Sequence, residues 1–142
     1  TWSPSSISYT GNNRTHMIRI PDPGRFELRL MDGSVNPYLL QAGVLAAGIE
    51  GLNKKINPGK PLHCNMYEDS DKYPNLSKLP NELGESLNKI TDNKVINKAF
   101  GKNVIDSYVK LKKIELKEFN SKEKFDKSKP ITKWERQNTL DC

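Results

Sequence analysis

The chain has 142 residues, long enough for one modest domain or a piece of a larger one, and carries 23 Lys+Arg against 17 Asp+Glu. The longest apolar stretch, VLAAGIEGL, is broken by Glu50 and falls well short of the roughly 20 residues a membrane helix needs, so no membrane partner is expected. Cys64 and Cys142 sit in no metal-type spacing, which suits a reducing cytoplasm.

The net charge of +6 raises the question of nucleic acid. Residues 1–92 balance 10 basic against 10 acidic side chains, and residues 93–142 hold 13 against 7. In that last third the lysines alternate with acids, as in KLKKIELKEFNSKEKFDK, which is the pattern of a solvated helix face. No aromatic interleaving or nucleic-acid motif accompanies it, and no nucleic-acid partner is expected.

In chain order, TWSPSSISYTGNN reads as connecting chain, without the basic and apolar regions of a signal peptide. Because residue 1 is Thr and lacks an initiation context, the chain is expected to be the C-terminal part of a longer protein. Residues 15–20 (THMIRI) and 25–31 (RFELRLM) alternate and are rich in strand formers, with Pro-Asp-Pro-Gly between them: a hairpin signature. A five-residue loop over 21–25 would set Ile20 opposite Phe26, Arg19 opposite Glu27 and Ile18 opposite Leu28, which segregates apolar from charged faces.

A helix follows, capped by Asn36 with Pro37 at its first position and ending at Lys54-Lys55 before Asn57-Pro58-Gly59. Its apolar residues and its Gly43, Ala46, Ala47 and Gly48 predict a mostly buried helix with a close neighbour. Residues 60–80 read as loop. Three helical segments follow, at about 81–90, 93–100 and 103–124, and the tail KPITKWERQNTLDC carries Trp134 as an anchor. His16 and His63 are single histidines, read as structural or merely exposed. The whole is an α+β chain in which an N-terminal antiparallel β-hairpin, within residues 1–35, precedes a mainly helical region, 36–142.

Arginine is concentrated. Four of the five, Arg14, Arg19, Arg25 and Arg29, fall within sixteen residues, whereas the rest of the positive charge comes from 18 lysines. The planar, bidentate guanidinium suits phosphates and carboxylates. Glu27 between Arg25 and Arg29 would weaken an anion site, unless a divalent cation shares it: Mg²⁺ takes carboxylate and phosphate oxygens together, a mixture that phosphoryl transfer uses. Spacing alone also fits a surface ion-pair ladder, each exposed pair contributing about 0–1 kcal/mol.

The run NNRTHMIRIPDPGRFELRLMDGSVNPYLLQAGVLAAGIEGLNKKINPG resembles the C-terminal catalytic domain of glutamine synthetases, with their N-R-[ST]-x-x-I-R-I-P, R-x-E-x-R-x-x-D and N-P-Y-L patterns in order. The NMY loop and the LGESLNKI and VIDSYVKLKKIEL helices extend the match, and the ending WERQNTLDC looks like the type III branch, close to enzymes making γ-glutamyl amides. The resemblance implies an ATP-dependent ligase that activates glutamate as γ-glutamyl phosphate and transfers it to ammonia, with ATP and Mg²⁺ or Mn²⁺ as cofactors. It implies Arg14 and Arg19 on the nucleotide phosphates and the transferring phosphoryl group (Arg14 catalytic), Arg25 by the nucleotide, Glu27 as a metal ligand and Arg29 on the substrate glutamate. It also implies a ring-shaped homo-oligomer in the cytoplasm, and a fragment inactive alone. Two departures stand out. The hairpin loop is shorter than in the bacterial assimilatory enzymes, and Thr1 and Trp2 stand where a carboxylate that deprotonates ammonium is expected. The alternatives are a γ-glutamylmethylamide synthetase using methylamine, and a non-catalytic relative binding polyanions.

Overall fold

The computed structural model describes residues 3–123 and 131–139. They fall into two compact units. One takes in the chain up to Asp32 together with Asn57–Asn81; the other takes in Gly33–Ile56 and the residues from Glu82 onward.

The first unit is built on a three-stranded sheet in the order β1-β2-β3, with β1 at Tyr9–Thr10, β2 at Ile18–Asp22 and β3 at Arg25–Leu28. The expected hairpin is β2–β3. Arg19 pairs with Glu27 and Ile18 with Leu28, as face segregation requires. The expected loop is corrected, because Asp22 pairs with Arg25 and leaves only Pro23-Gly24 as the turn. Gly24 takes the positive φ (78°) that a Pro-Gly turn demands. The register slips by one residue between Arg19 and Asp22, where Pro21, with no N–H to give the ladder, sits in a bulge.

Residues 3–13 are not mere connecting chain. β1 lies parallel to β2, Ser6 bridges to Lys78, and Ser6, Ser8 and Thr10 are buried. Their small hydroxyl side chains allow the close approach that an apolar-pattern reading overlooks. His16 is fully buried at their centre: one ring nitrogen, Nδ1, lies 3.0 Å from Ser8 Oγ, and Nε2 lies 3.0 Å from the Cys64 carbonyl. A carbonyl only accepts, so Nε2 carries the proton. The 57–81 segment closes against this sheet through Leu62 N–H to the Tyr9 carbonyl and contributes a short helix α2, Met66–Asp69, followed by a 3₁₀ turn, Ser70–Lys72.

The second unit is helical. α1 spans Pro37–Asn53, and the Asn36 side chain accepts from the Tyr38 and Leu39 amides, the expected cap. The expected burial is corrected: no α1 residue is fully buried, and Tyr38 and Leu52 are 83% and 78% exposed. Apolar residues lie all round α1, and among the described residues of its unit α4 is its main neighbour, where a Cβ on Gly43 would meet the Phe100 ring at 4.0 Å. α3 is Leu83–Asp92, α4 Lys94–Phe100 and α5 Lys102–Lys122. Asn93 caps α4, and Gly101, at φ 81°, breaks the chain between α4 and α5.

Leu87, Ile105 and Val109 form the core of this unit, with Ile90, Ile96, Phe100 and Tyr108 packed on it. Ile105 and Val109, one turn apart, form the buried ridge of α5, while Val104 and Leu111 stay exposed. Three lysines of α5 pair with acids on the same helix: Lys102 with Asp106, Lys112 with Glu115 and Lys122 with Glu118. α6, Lys133–Asn138, opens with a capping box of Thr132 and Glu135. Trp134 does anchor it, edge-on to Phe119 with ring centres 5.6 Å apart. No helix among the described residues is long and apolar enough to cross a membrane.

Candidate active site

The site is assembled by the tight turn before β2 and by the two strands of the hairpin. Asn13, Arg14 and Thr15 divide two tasks. Asn13 Oδ1 accepts from the amide and hydroxyl of Thr15, and its Nδ2 donates to the Cys64 carbonyl at 2.9 Å. Thr15 Oγ1 in turn accepts from the Met66 amide at 3.0 Å. The two flanking side chains thus tie the turn to the 64–66 segment. Arg14 between them is exposed, and among the described residues its guanidinium has no ion-pair partner.

On the hairpin, cross-strand pairing sets Arg19 beside Glu27, and the two-residue period sets Glu27 beside Arg29. Arg19 Nη1 donates to Glu27 Oε2 at 2.8 Å, and Arg29 Nε lies 3.2 Å from Glu27 Oε1. One carboxylate therefore bridges two guanidiniums, one with each oxygen. Both arginine side chains are largely shielded, at 13% and 17% exposure, whereas Glu27 is 41% exposed. The hydrogen bond from Arg19, with the fields of Arg19, Arg29 and Arg14, holds the Glu27 carboxyl below its ordinary value against a smaller opposing desolvation. It is an ionised, accessible carboxylate in a positive frame.

Arg25 does not join this cluster. It turns back to Asp22, 2.9 Å away, in an exposed pair at the hairpin tip. A cavity of about 350 Å³ opens beside the cluster, with Ser3, Pro4, Glu27, Arg29, Met31 and Asp32 on its walls. Thr1 and Trp2, where a further carboxylate was expected, lie outside the described residues.

The donor set bears on a metal. Among the described residues no three His, Cys, Asp or Glu side chains gather in a way that could hold an ion. Glu27 can supply one carboxylate ligand, which fits Mg²⁺, an ion held by one or two carboxylates with water and phosphate oxygens completing its shell. Asn12 was not picked out in the sequence, yet its Oδ1 accepts from Arg19 Nε at 2.9 Å and from Arg19 Nη2. No spacing pattern marks it, since a polar residue in a turn is ordinary.

Two guanidiniums held by one carboxylate beside a cavity are the class of donor set that suits an oxyanion. Comparison with known proteins gives this class its family. The model of the glutamine synthetase catalytic domain matches residues 1–137. A glutamine synthetase of Rhizobium meliloti (strain 1021) is 45% identical over 141 residues, which is 99% of this chain and 31% of that protein. A glutamate–methylamine ligase of Methyloversatilis universalis is 43% identical over 122 residues, 84% of this chain and 27% of that enzyme. A solved structure described as a GmaS/ADP complex superposes with a TM-score of 0.81 at 40% identity, over 99% of this chain and 30% of that one. The chain belongs to the glutamine synthetase family, an enzyme family of ligases. It spans about a third of the length of the relatives it matches.

Proposed function

We propose that the chain supplies the phosphate-facing arginines and one metal carboxylate of an ATP-dependent glutamate–amine ligase, which forms glutamine from glutamate and ammonia through γ-glutamyl phosphate. The observation that carries this reading is the Arg19–Glu27–Arg29 cluster beside its cavity. In this reading Arg19 and the unpaired Arg14 bind nucleotide phosphates and offset the charge of the phosphoryl group in transfer, and Arg14 is the catalytic one. Arg29 holds a carboxylate of glutamate, and Arg25 lies toward the nucleotide. Glu27 holds Mg²⁺ or Mn²⁺, whose part when bound is to neutralise charge on the phosphates. The rest of the site would come from chain beyond these residues, in a cytoplasmic ring-shaped homo-oligomer, so the 142 residues alone should make no glutamine.

Methylamine is the second candidate acceptor, favoured by the similarity to a glutamate–methylamine ligase and to a GmaS/ADP complex. The test is phosphate release by the full-length protein with glutamate, ATP and either ammonium or methylamine. Release that depends on one amine selects between the two; release indifferent to both removes both. A polyanion-binding relative would instead show salt-sensitive binding that survives Arg14→Ala and Arg19→Ala.

A further inference from the structure

A guanidinium has five N–H donors, and in Arg19 three of them are engaged. Glu27 takes one from Nη1, and Asn12 Oδ1 takes Nε–H and one hydrogen of Nη2. Since Arg19 can only donate, the Asn12 amide must present its oxygen. Two acceptors on two edges fix the plane of the guanidinium. One hydrogen on Nη1 and one on Nη2 remain for a ligand.

We infer that Asn12 is a positioning residue for Arg19, holding its guanidinium so that the two remaining N–H groups meet a phosphate of the nucleotide. This rests on the reading of the site given above. The chemical point is that Asn12 is neutral. Glu27 already offsets part of the Arg19 charge, and an amide oxygen fixes the other edge without adding a second negative charge. An aspartate at position 12 would hold the same edge but place a second negative charge where phosphate must approach. Asn12 is exposed, and its side chain bonds only to Arg19 among the described residues, so a contribution to folding alone would be small.

The test compares the full-length wild-type protein with Asn12→Ala, Asn12→Asp, Arg19→Lys and the Asn12→Ala/Arg19→Lys double variant, measuring calorimetric affinity for Mg²⁺–ATP and Tm for each. Asn12→Ala should weaken binding about tenfold with little change in Tm, the scale of a pair of hydrogen bonds to a charged group. On the Arg19→Lys background it should cost nothing more, because an ammonium has no side edge to hold. Asn12→Asp should also bind more weakly, with a deficit that shrinks as salt rises. Unchanged affinity in Asn12→Ala, or an equal loss on both backgrounds, overturns the positioning role. A wild-type protein that binds no Mg²⁺–ATP removes the nucleotide reading, and this inference with it.

Discussion

Asn13 and Thr15 spend their side chains on tying the turn to residues 64–66, and this leaves Arg14 facing outward. The N-R-T triplet was legible as a pattern, but the division of labour within it needed the partners from some fifty residues away. Glu27 was legible in its pairing, because alternation and register set it between Arg19 and Arg29. Its bridging of both arginines has a consequence in acid. A carboxyl whose native value is depressed stabilises the fold above its ordinary value, and that stabilisation is lost as pH falls through the depressed one. The Tm difference between wild type and Glu27→Gln should therefore be present at neutral pH and vanish toward the acid limit. Thermal unfolding across the acid range checks it, and a pH-independent difference would mean that the bridge contributes nothing. Asn12 lay beyond reach of the sequence, since its importance lies in one contact across the turn.

Among elements, the helix ends were the most legible and burial the least. Asn36, Pro37 and Gly101 act within a turn of themselves, so local chemistry suffices to locate α1, α4 and α5 within a residue or two. Burial depends on what arrives from elsewhere. α1 has the apolar composition of a hidden helix, yet among the described residues of its unit its main neighbour is α4 alone. β1 was missed for the opposite reason: two residues paired in parallel, flanked by buried serines, carry no apolar alternation. The Leu87–Ile105–Val109 core permits a direct measurement. Leu87 is 2% exposed, and Leu87→Ala should cost about 2–5 kcal/mol in denaturant unfolding, against less than about 0.5 kcal/mol for Leu111→Ala on the exposed ridge.

For the molecule as a whole, the α+β character and the hairpin-then-helices order were readable from periodicity, and the family from ordered motifs. The partition into units was not: Asn57–Asn81 returns to the sheet that Asp32 leaves, a closure made by scattered backbone bonds and by His16 rather than by any local signal. The bulge at Pro21 also acts at this scale, by interrupting the ladder. Beyond it Asp22 lies across from Arg25, and two arginines, not three, gather at Glu27. Chain length, not side-chain identity, is the setting involved. Excising Pro21 would restore an unbroken ladder, with Ile20 opposite Phe26 and Asp22 still opposite Arg25; an amide-proton map of the hairpin would show the regular rungs. Chain length at this one point therefore sets how regular the ladder is, and a residue lost there leaves the Asp22–Arg25 pair at the tip as it was.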